Sequence, residues 1–282
     1  MVNGGGADLD TAARVLAGRR IAVLTGAGIS TDSGIPDYRG PNSVPRTPMT
    51  FQAFLADTDA RKRYWAGSHL GWQRFARAAP NAGHFALAQL ESAGILAGIL
   101  TQNVDALHER AGSARVVDLH GRLDRVRCLA CGQVYARDAI SRQISELNPW
   151  LSETDSAVLR PDGDADVTGV RDFVVPACEL CGGMLKPDIV FFGEFIPTTK
   201  FFAASALVRN ADALLVAGSS LVVNSGIRFL DQAAKRQLPV VIVNRGKTRG
   251  DSRAAVKIDA GTSETLTALA DRLGGGYRKK TL

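Results

Sequence analysis

Arg20-Ile-Ala-Val-Leu-Thr25-Gly-Ala-Gly-Ile-Ser30 reads as a strand that runs straight into a glycine-rich turn. Its apolar residues do not alternate with polar ones, so both faces of the strand are expected to be covered. In a doubly wound sheet such a turn sits at the carboxyl end of the first strand, where backbone N–H groups and a helix N-terminus meet phosphates. The ordinary dinucleotide fingerprint is incomplete: after Gly26-x-Gly28, Thr31 stands in the third glycine's place, and no acidic residue ends an obvious second strand. Alone, the turn serves a tight bend as often as a phosphate cradle. The continuation Thr31-Asp-Ser-Gly-Ile-Pro-Asp-Tyr-Arg39-Gly40 adds a carboxylate, an aromatic ring and an arginine beside the turn, a set that a structural loop rarely needs.

Outward from this stretch, helical and strand patterns alternate. Asp10 to Gly18, Phe51 to Ala79, Asn81 to Ala93, Thr198 to Arg209, Gly226 to Arg236 and Thr262 to Leu273 read as helices. Ile95 to Thr101, Val116 to Leu119, Pro187 to Phe192, Ala213 to Ala217 and Val240 to Val243 are short apolar runs of strand length. That alternation predicts an α/β fold, a Rossmann-like parallel sheet covered by helices. Residues 122–186 break the alternation and hold every cysteine, so they are expected to form a small inserted zinc-binding module. Residues 8–121 and 187–275 then make a discontinuous Rossmann-like domain, and 276–282 a basic tail. Glu146 to Arg171 is polar, without a clear period, and reads as a long loop.

The cysteines fall as Cys128-x2-Cys131 and Cys178-x2-Cys181. Each short turn can aim two thiolates at one metal, and two such turns complete a tetrahedral shell. Such a shell has no open position, so one structural zinc is expected.

The chain has 282 residues, 45% hydrophobic and 22% charged. That is the balance of a globular protein, not of a collagen-like or disordered chain. No apolar run approaches the ~18–20 residues that span a bilayer, and Met1 to Asp10 resembles no secretion signal, so no membrane is expected and a cytoplasmic address follows. The net charge of +6 is spread along the chain, which argues against nucleic-acid binding and suits an anionic cofactor.

Thr101-Gln102-Asn103-Val104-Asp105 and Asp118-Leu119-His120-Gly121 lie at the carboxyl ends of predicted strands, the edge where open α/β sheets bind ligands. An amide pair and a carboxylate there can hydrogen-bond a carboxamide or a ribose, and a histidine can act as general base.

Gly26-Ala-Gly-Ile-Ser-Thr-Asp-Ser-Gly-Ile-Pro-Asp-Tyr-Arg39, Thr101-Gln-Asn-Val-Asp105, Leu119-His-Gly121, the cysteine quartet, Phe191-Phe-Gly-Glu194, Gly218-Ser-Ser220 and Val243-Asn244 occur in the order found in sirtuins. The chain resembles that family of NAD-dependent protein deacylases from about Thr11 to Leu273. The long gap between cysteine pairs, Arg63-Tyr-Trp-Ala and Leu185-Lys-Pro-Asp resemble class II most. The resemblance implies NAD as co-substrate, with Gly26, Ala27, Gly28 and Thr31 at the pyrophosphate. Asp37, Tyr38 and Arg39 would belong to a loop folding over NAD. Gln102, Asn103 and Asp105 would line the nicotinamide and ribose pocket. Gly218, Ser219, Ser220, Asn244, Arg245 and Gly246 would hold the adenosine half, with Thr262 closing on adenine. Val190, Phe192, Gly193 and Glu194 would form an edge to which an acyl-lysine protein or peptide adds as a strand.

By the same resemblance His120, together with Asn103, is catalytic. His120 would take a ribose hydroxyl proton, and the products would be nicotinamide, deacylated lysine and O-acyl-ADP-ribose. The reaction would be deacetylation or removal of a longer acyl or lipoyl group, with protein ADP-ribosyl transfer as the alternative. The remaining histidines read as structural: His84 capping a helix, His108 at a surface or helix contact, His69 without a nameable partner. Trp65 and Trp72 read as one buried helix face or as walls of an acyl tunnel. Tyr38 stands where many sirtuins have Phe. In Tyr64-Trp-Ala-Gly67, glycine replaces the arginine with which the desuccinylating class binds a carboxylate.

Overall fold

A computed structural model describes residues 4–38, 48–151 and 170–274. Six parallel strands form the main sheet: β1 (Ile21–Thr25), β2 (Leu96–Thr101), β3 (Val116–Asp118), β7 (Ala213–Ala217), β8 (Val240–Val243) and β9 (Val256–Ile258), in the order β3-β2-β1-β7-β8-β9. Successive residues of β1 and β7 bury opposite faces. Ile21, Val23 and Leu215 pack under α1 (Gly4–Leu16), α4 (Ala82–Ser92) and α9 (Thr262–Gly274). Ala22, Leu24, Leu214 and Val216 pack under α7 (Thr198–Arg209) and α8 (Asn224–Lys235). Both faces exclude water, which is why these strands carry unbroken apolar runs.

The chain leaves β1 toward β2 on one side and returns to place β7 on the other. The order of strands therefore reverses between β1 and β7, and a crevice opens beyond their carboxyl ends. The glycine-rich turn and Gly218 both sit at this point.

A second, antiparallel sheet of three strands joins β4 (Gly121–Cys128), β5 (Val134–Ala136) and β6 (Leu185–Ile189), in the order β5-β4-β6. The apolar run from Pro187, counted from the sequence among the strands of the parallel sheet, pairs instead with β4. Its partner strand begins at Gly121, directly after His120, so the small sheet is tied to the edge of the large one. Gly121 adopts φ 81°, and a Cβ there would lie 1.9 Å from the Asp188 carbonyl oxygen. Only glycine fits. This sheet packs with α3 (Thr58–Arg77) and α6 (Arg137–Leu147) around a separate apolar core.

Two further readings change. The helix expected from Phe51 to Ala79 is two helices, α2 (Phe51–Ala56) and α3, because the Asp57 carboxylate accepts the N–H groups of Asp59 and Ala60 at 2.8 and 3.0 Å and caps the second. The loop expected from Glu146 begins later, since α6 runs to Leu147. Most of that loop, the basic tail and Arg39 lie outside the described residues.

Candidate active site

The crevice beyond β1 and β7 opens into a cleft of about 1360 Å³ that reaches to the rim of the small sheet. Its floor at the switch point is made of glycines that interlock. The Gly28 N–H donates to the Gly218 carbonyl at 2.8 Å. A Cβ on Gly26 would lie 2.8 Å from that carbonyl oxygen, one on Gly28 2.9 Å from Gly218 Cα, and one on Gly218 2.3 Å from the Ile29 nitrogen. Gly218 is also left-handed, at φ 66°. Thr31 and Thr262, from opposite ends of the chain, both donate their hydroxyls to the Gly28 carbonyl at 3.1 Å. The two turns are thus locked backbone to backbone, with no room for a side chain between them.

His120 follows β3. Its Nδ1 lies 2.8 Å from the Gln102 carbonyl oxygen and its Nε2 3.0 Å from Ser225 Oγ. A carbonyl can only accept, so the proton sits on Nδ1 and Nε2 keeps its lone pair. Burial pulls the His120 pKa below 6.5, with the Lys200 charge adding and the Gln102 hydrogen bond opposing. The ring is therefore a neutral base at physiological pH. The Gln102 side chain continues the network, accepting from Ser219 Oγ at 2.7 Å and donating to Ser225 Oγ at 3.3 Å.

Asn103 and Asp105 stand beside it. Asn103 Nδ2 donates to Ser30 Oγ at 3.0 Å and to Asp105 Oδ2 at 3.3 Å, and Ser30 Oγ donates to that same carboxylate oxygen at 2.7 Å. Asp105 Oδ1 accepts the Leu107 N–H at 3.0 Å. Burial pushes the Asp105 carboxyl up, and these hydrogen bonds pull it back. Nearby Asp118 is raised to about 6, by burial and then by the Glu109 charge.

Of the residues expected from the sequence, Gly26, Ala27, Gly28, Thr31, Asp37, Tyr38, Gln102, Asn103, Asp105, His120, Val190, Phe192, Gly193, Glu194, Gly218, Ser219, Ser220, Asn244, Arg245, Gly246 and Thr262 all border this one cleft. Val190 and Phe192 form a backbone edge tied down at both ends: the Val190 N–H donates to the His120 carbonyl at 2.8 Å, and the Phe192 carbonyl accepts from the Phe51 N–H at 2.9 Å. The Glu194 carboxylate turns inward, to Lys186 Nζ and the Phe191 N–H, each at 2.9 Å.

Sequence pattern gives no role to Ser225, Ser30 or Tyr64, yet all three border the cleft. Ser225 opens α8 and meets the His120 ring; nothing in Asn224-Ser-Gly226 advertises that contact. Ser30, inside the glycine-rich motif, donates to Asp105 and accepts from Asn103. Tyr64, weighed only as half of a missing carboxylate-binding pair, lines the cleft and stacks edge-on against Phe54 and Phe191 at 5.6 and 5.1 Å. Trp65 and Trp72 do form a buried face, and both rings hold the Arg137 guanidinium, at 4.9 and 5.8 Å; neither lines the cleft. Of the two readings of His108, surface or helix contact, the second holds. It is 1% exposed, bonded through Nε2 to Thr25 Oγ1 at 2.9 Å and packed on His84 at 4.9 Å, so it belongs to no surface. His84 caps α4 as expected, and His69 has partners in Ser141 and Ser145.

Away from the cleft, the four cysteine sulfurs lie within 4.8 Å of one another, with Cys128–Cys181 at 3.5 Å and Cys131–Cys178 at 3.7 Å. Four thiolates about 2.3 Å from a tetrahedral zinc stand roughly 3.8 Å apart, so the quartet fits that ion. Tyr135 directs its hydroxyl at Cys178 Sγ from 3.1 Å.

The family model described as Sir2 family matches residues 26–225. NAD-dependent protein deacetylase 1 of Mycobacterium avium is 55% identical over 263 residues, 92% of this chain and 93% of that protein. NAD-dependent protein deacetylase 1 of Streptomyces coelicolor is 53% identical over 274 residues, 96% and 91% of the two chains. A solved Sir2–p53 peptide–NAD+ complex superposes with a TM-score of 0.74 at 29% identity, covering 96% of this chain and 99% of that one.

Proposed function

The chain belongs to the Sir2 family, and from that premise we infer that its cleft removes acyl groups from lysine side chains of proteins at the expense of NAD. NAD supplies the ribose that receives the acyl group and leaves behind nicotinamide. The interlocked turns at Gly26, Gly28 and Gly218 border the cleft and present backbone there, which suits a pyrophosphate. Asn103 and Asp105, with Ser30, offer a donor and acceptor pair suited to a carboxamide. Ser219, Ser220, Asn244, Arg245, Gly246 and Thr262 border the other half of the cleft, where an adenosine is accommodated. The described part of the loop expected over NAD, Asp37 and Tyr38, borders the same space.

His120 is the base. Its lone-pair nitrogen meets Ser225 Oγ at the border of the cleft, where it accepts the proton of a substrate hydroxyl. An acyl-lysine peptide enters along Val190 to Gly193 and adds to the backbone edge there, which gives affinity with little side-chain selection. Its acyl group reaches the apolar wall formed by Ile35, Tyr64 and Phe191. The cysteine quartet holds a structural zinc, and the four reduced thiolates it requires accord with a cytoplasmic compartment. Arg63-Tyr-Trp-Ala and Leu185-Lys-Pro-Asp support placement in class II.

The observation that carries this reading is the His120 ring, locked by Gln102 in the tautomer of a base and bordering a cleft with a glycine floor. The test is incubation with NAD and acetyl-, lipoyl-, long-chain acyl- and succinyl-lysine peptides, followed by mass spectrometry. Peptide-dependent nicotinamide release, with free lysine and O-acyl-ADP-ribose in equal amounts, is expected. The succinyl peptide should be the poorest substrate, because Gly67 replaces the cation that its carboxylate would need. ADP-ribosylated protein without deacylated peptide would overturn the reading; the deacetylase relatives weigh against that outcome.

A further inference from the structure

Lys186, on β6, is 5% exposed, an unusual place for a lysine. An ammonium buried there must recover its hydration from the protein. Each group that does so belongs to one edge of the cleft. Nζ donates to the Ile189 carbonyl and, at 2.9 Å, to Glu194 Oε2. The same carboxylate oxygen accepts the Phe191 N–H at 2.9 Å, closing the turn from Phe191 to Glu194. The ammonium also lies 4.7 Å from the Phe191 ring centroid and 5.6 Å from that of Phe51. Burial lowers its pKa, and the Glu194 partnership opposes this.

These contacts join two surfaces. On one side is the peptide edge: the Phe51 N–H holds the Phe192 carbonyl, and Thr50 bridges to Phe192. On the other is the aromatic wall, where Phe191 packs against Phe54 and Tyr64, both at 5.1 Å. The reverse side of the hub is anchored at His120, whose carbonyl holds Val190.

We propose that Lys186 is a positioning residue for the acyl-peptide substrate: its buried ammonium pins the Ile189–Glu194 turn, and with it fixes both the backbone edge that receives the peptide and the Phe191 wall of the acyl pocket. The inference rests on the deacylase reading, and it assigns no contact between Lys186 and either substrate. Removing the cation leaves the Glu194 carboxylate without its partner and releases the turn. Among the described residues, no hydrogen bond joins Lys186 or Glu194 to the glycine turns on β1 and β7.

The test compares Lys186→Met with the unaltered enzyme. KM for an acetyl-lysine peptide should rise roughly tenfold or more, the scale of one lost charge-assisted hydrogen bond. KM for NAD should be unchanged and kcat should stay within about threefold. Discrimination between acetyl and long-chain acyl peptides should narrow, because the Phe191 wall loosens. Amide hydrogen exchange at Phe192 and Gly193 should quicken in the substrate-free protein. If Lys186→Met does not fold, Glu194→Gln tests the same pin, since the amide oxygen can still accept from Phe191 while the charge is gone; the same parameters should move in the same direction by less. Equal losses toward peptide and NAD, or unchanged peptide KM with unchanged exchange, would overturn the proposal. An unaltered enzyme that releases no nicotinamide with any acyl peptide would instead overturn the functional reading, and the exchange measurement would still decide the role of Lys186.

Discussion

Nδ1 of His120 lies 2.8 Å from the carbonyl oxygen of Gln102, and the Gln102 N–H is held in turn by the Thr25 carbonyl at 2.9 Å. The tautomer of the His120 ring is therefore set at the carboxyl ends of β1 and β2, two central strands. A proton on Nδ1 leaves the lone pair on Nε2, which meets Ser225 Oγ at 3.0 Å, and burial lowers the ring's pKa.

His120→Asn should fold normally and lose roughly 10²- to 10⁴-fold in kcat, the range for a positioned general base. In the unaltered enzyme, kcat/KM should fall on the acid side with a midpoint below 6.5, because the pKa is lowered and only the neutral ring accepts a proton. Initial rates from pH 5 to 9 check both statements. A midpoint above 7 would show that a different group is the base.

Buried neutral histidines predict acid lability. His69 and His84 are lowered to about 4 from 6.5, both chiefly by burial, and His108 is also pulled well down by burial. Between pH 6.5 and about 4 the unfolded chain binds protons that the folded chain refuses, so stability falls as pH falls. Each such group contributes about 1.4 kcal/mol per pH unit across that window. Asp118, raised to about 6, acts in the opposite sense, gaining stability as it protonates. Its contribution cancels when His69→Gln is compared with the parent. The variant's stability, from urea melts at pH 4.5 to 7, should slope less steeply by about 1.4 kcal/mol per pH unit.

Much of this was legible in the sequence because the physics is local or periodic. A two-sided strand followed by glycines announces the switch point, and paired Cys-x2-Cys turns announce a tetrahedral metal. Gly26, Asn103, His120 and Thr262 could each be placed at strand or helix ends by pattern alone, and they converge on one cleft. Contacts made by side chains far apart in the sequence were not legible. Ser225 meets His120 across 105 residues, with no local signature. Lys186 looks like a surface residue in Leu185-Lys-Pro-Asp until Phe51 and Glu194 close over it. His108 stayed open between surface and helix contact because a four-residue helix shows no periodicity from which to read its buried side.

Stripping the metal should unfold the small sheet before the large one. The thiolates connect the Cys128 end of β4 to the Cys178 turn, and structural zinc sites contribute ~10–16 kcal/mol of apparent binding energy. Tyr135→Phe removes the hydroxyl that faces Cys178 Sγ, and with it the largest of the hydrogen bonds that lower the Cys178 thiol. That variant should keep the fold and lose roughly 10- to 100-fold in metal affinity, as outer-shell partners do. Chelator competition followed by near-ultraviolet circular dichroism measures both effects. A chelated protein with unaltered signal and activity would remove zinc from the folding account.

The glycine floor can be tested apart from the general cost of a left-handed residue. Gly94 and Gly218 both have positive φ, 75° and 66°, but a Cβ on Gly94 meets nothing within 4 Å, whereas one on Gly218 lies 2.3 Å from the Ile29 nitrogen. Gly94→Ala should lose only the backbone term, ~1 kcal/mol, and bind NAD as the parent does. Gly218→Ala adds a clash between two backbones that cannot separate without parting β1 from β7. It should lose several kcal/mol more, by analogy with overpacked cores, and its NAD affinity should fall with its stability. Thermal melts and calorimetric titration with NAD separate the two variants. Equal behaviour of Gly94→Ala and Gly218→Ala would mean that the turns are not interlocked and that the floor yields to a side chain.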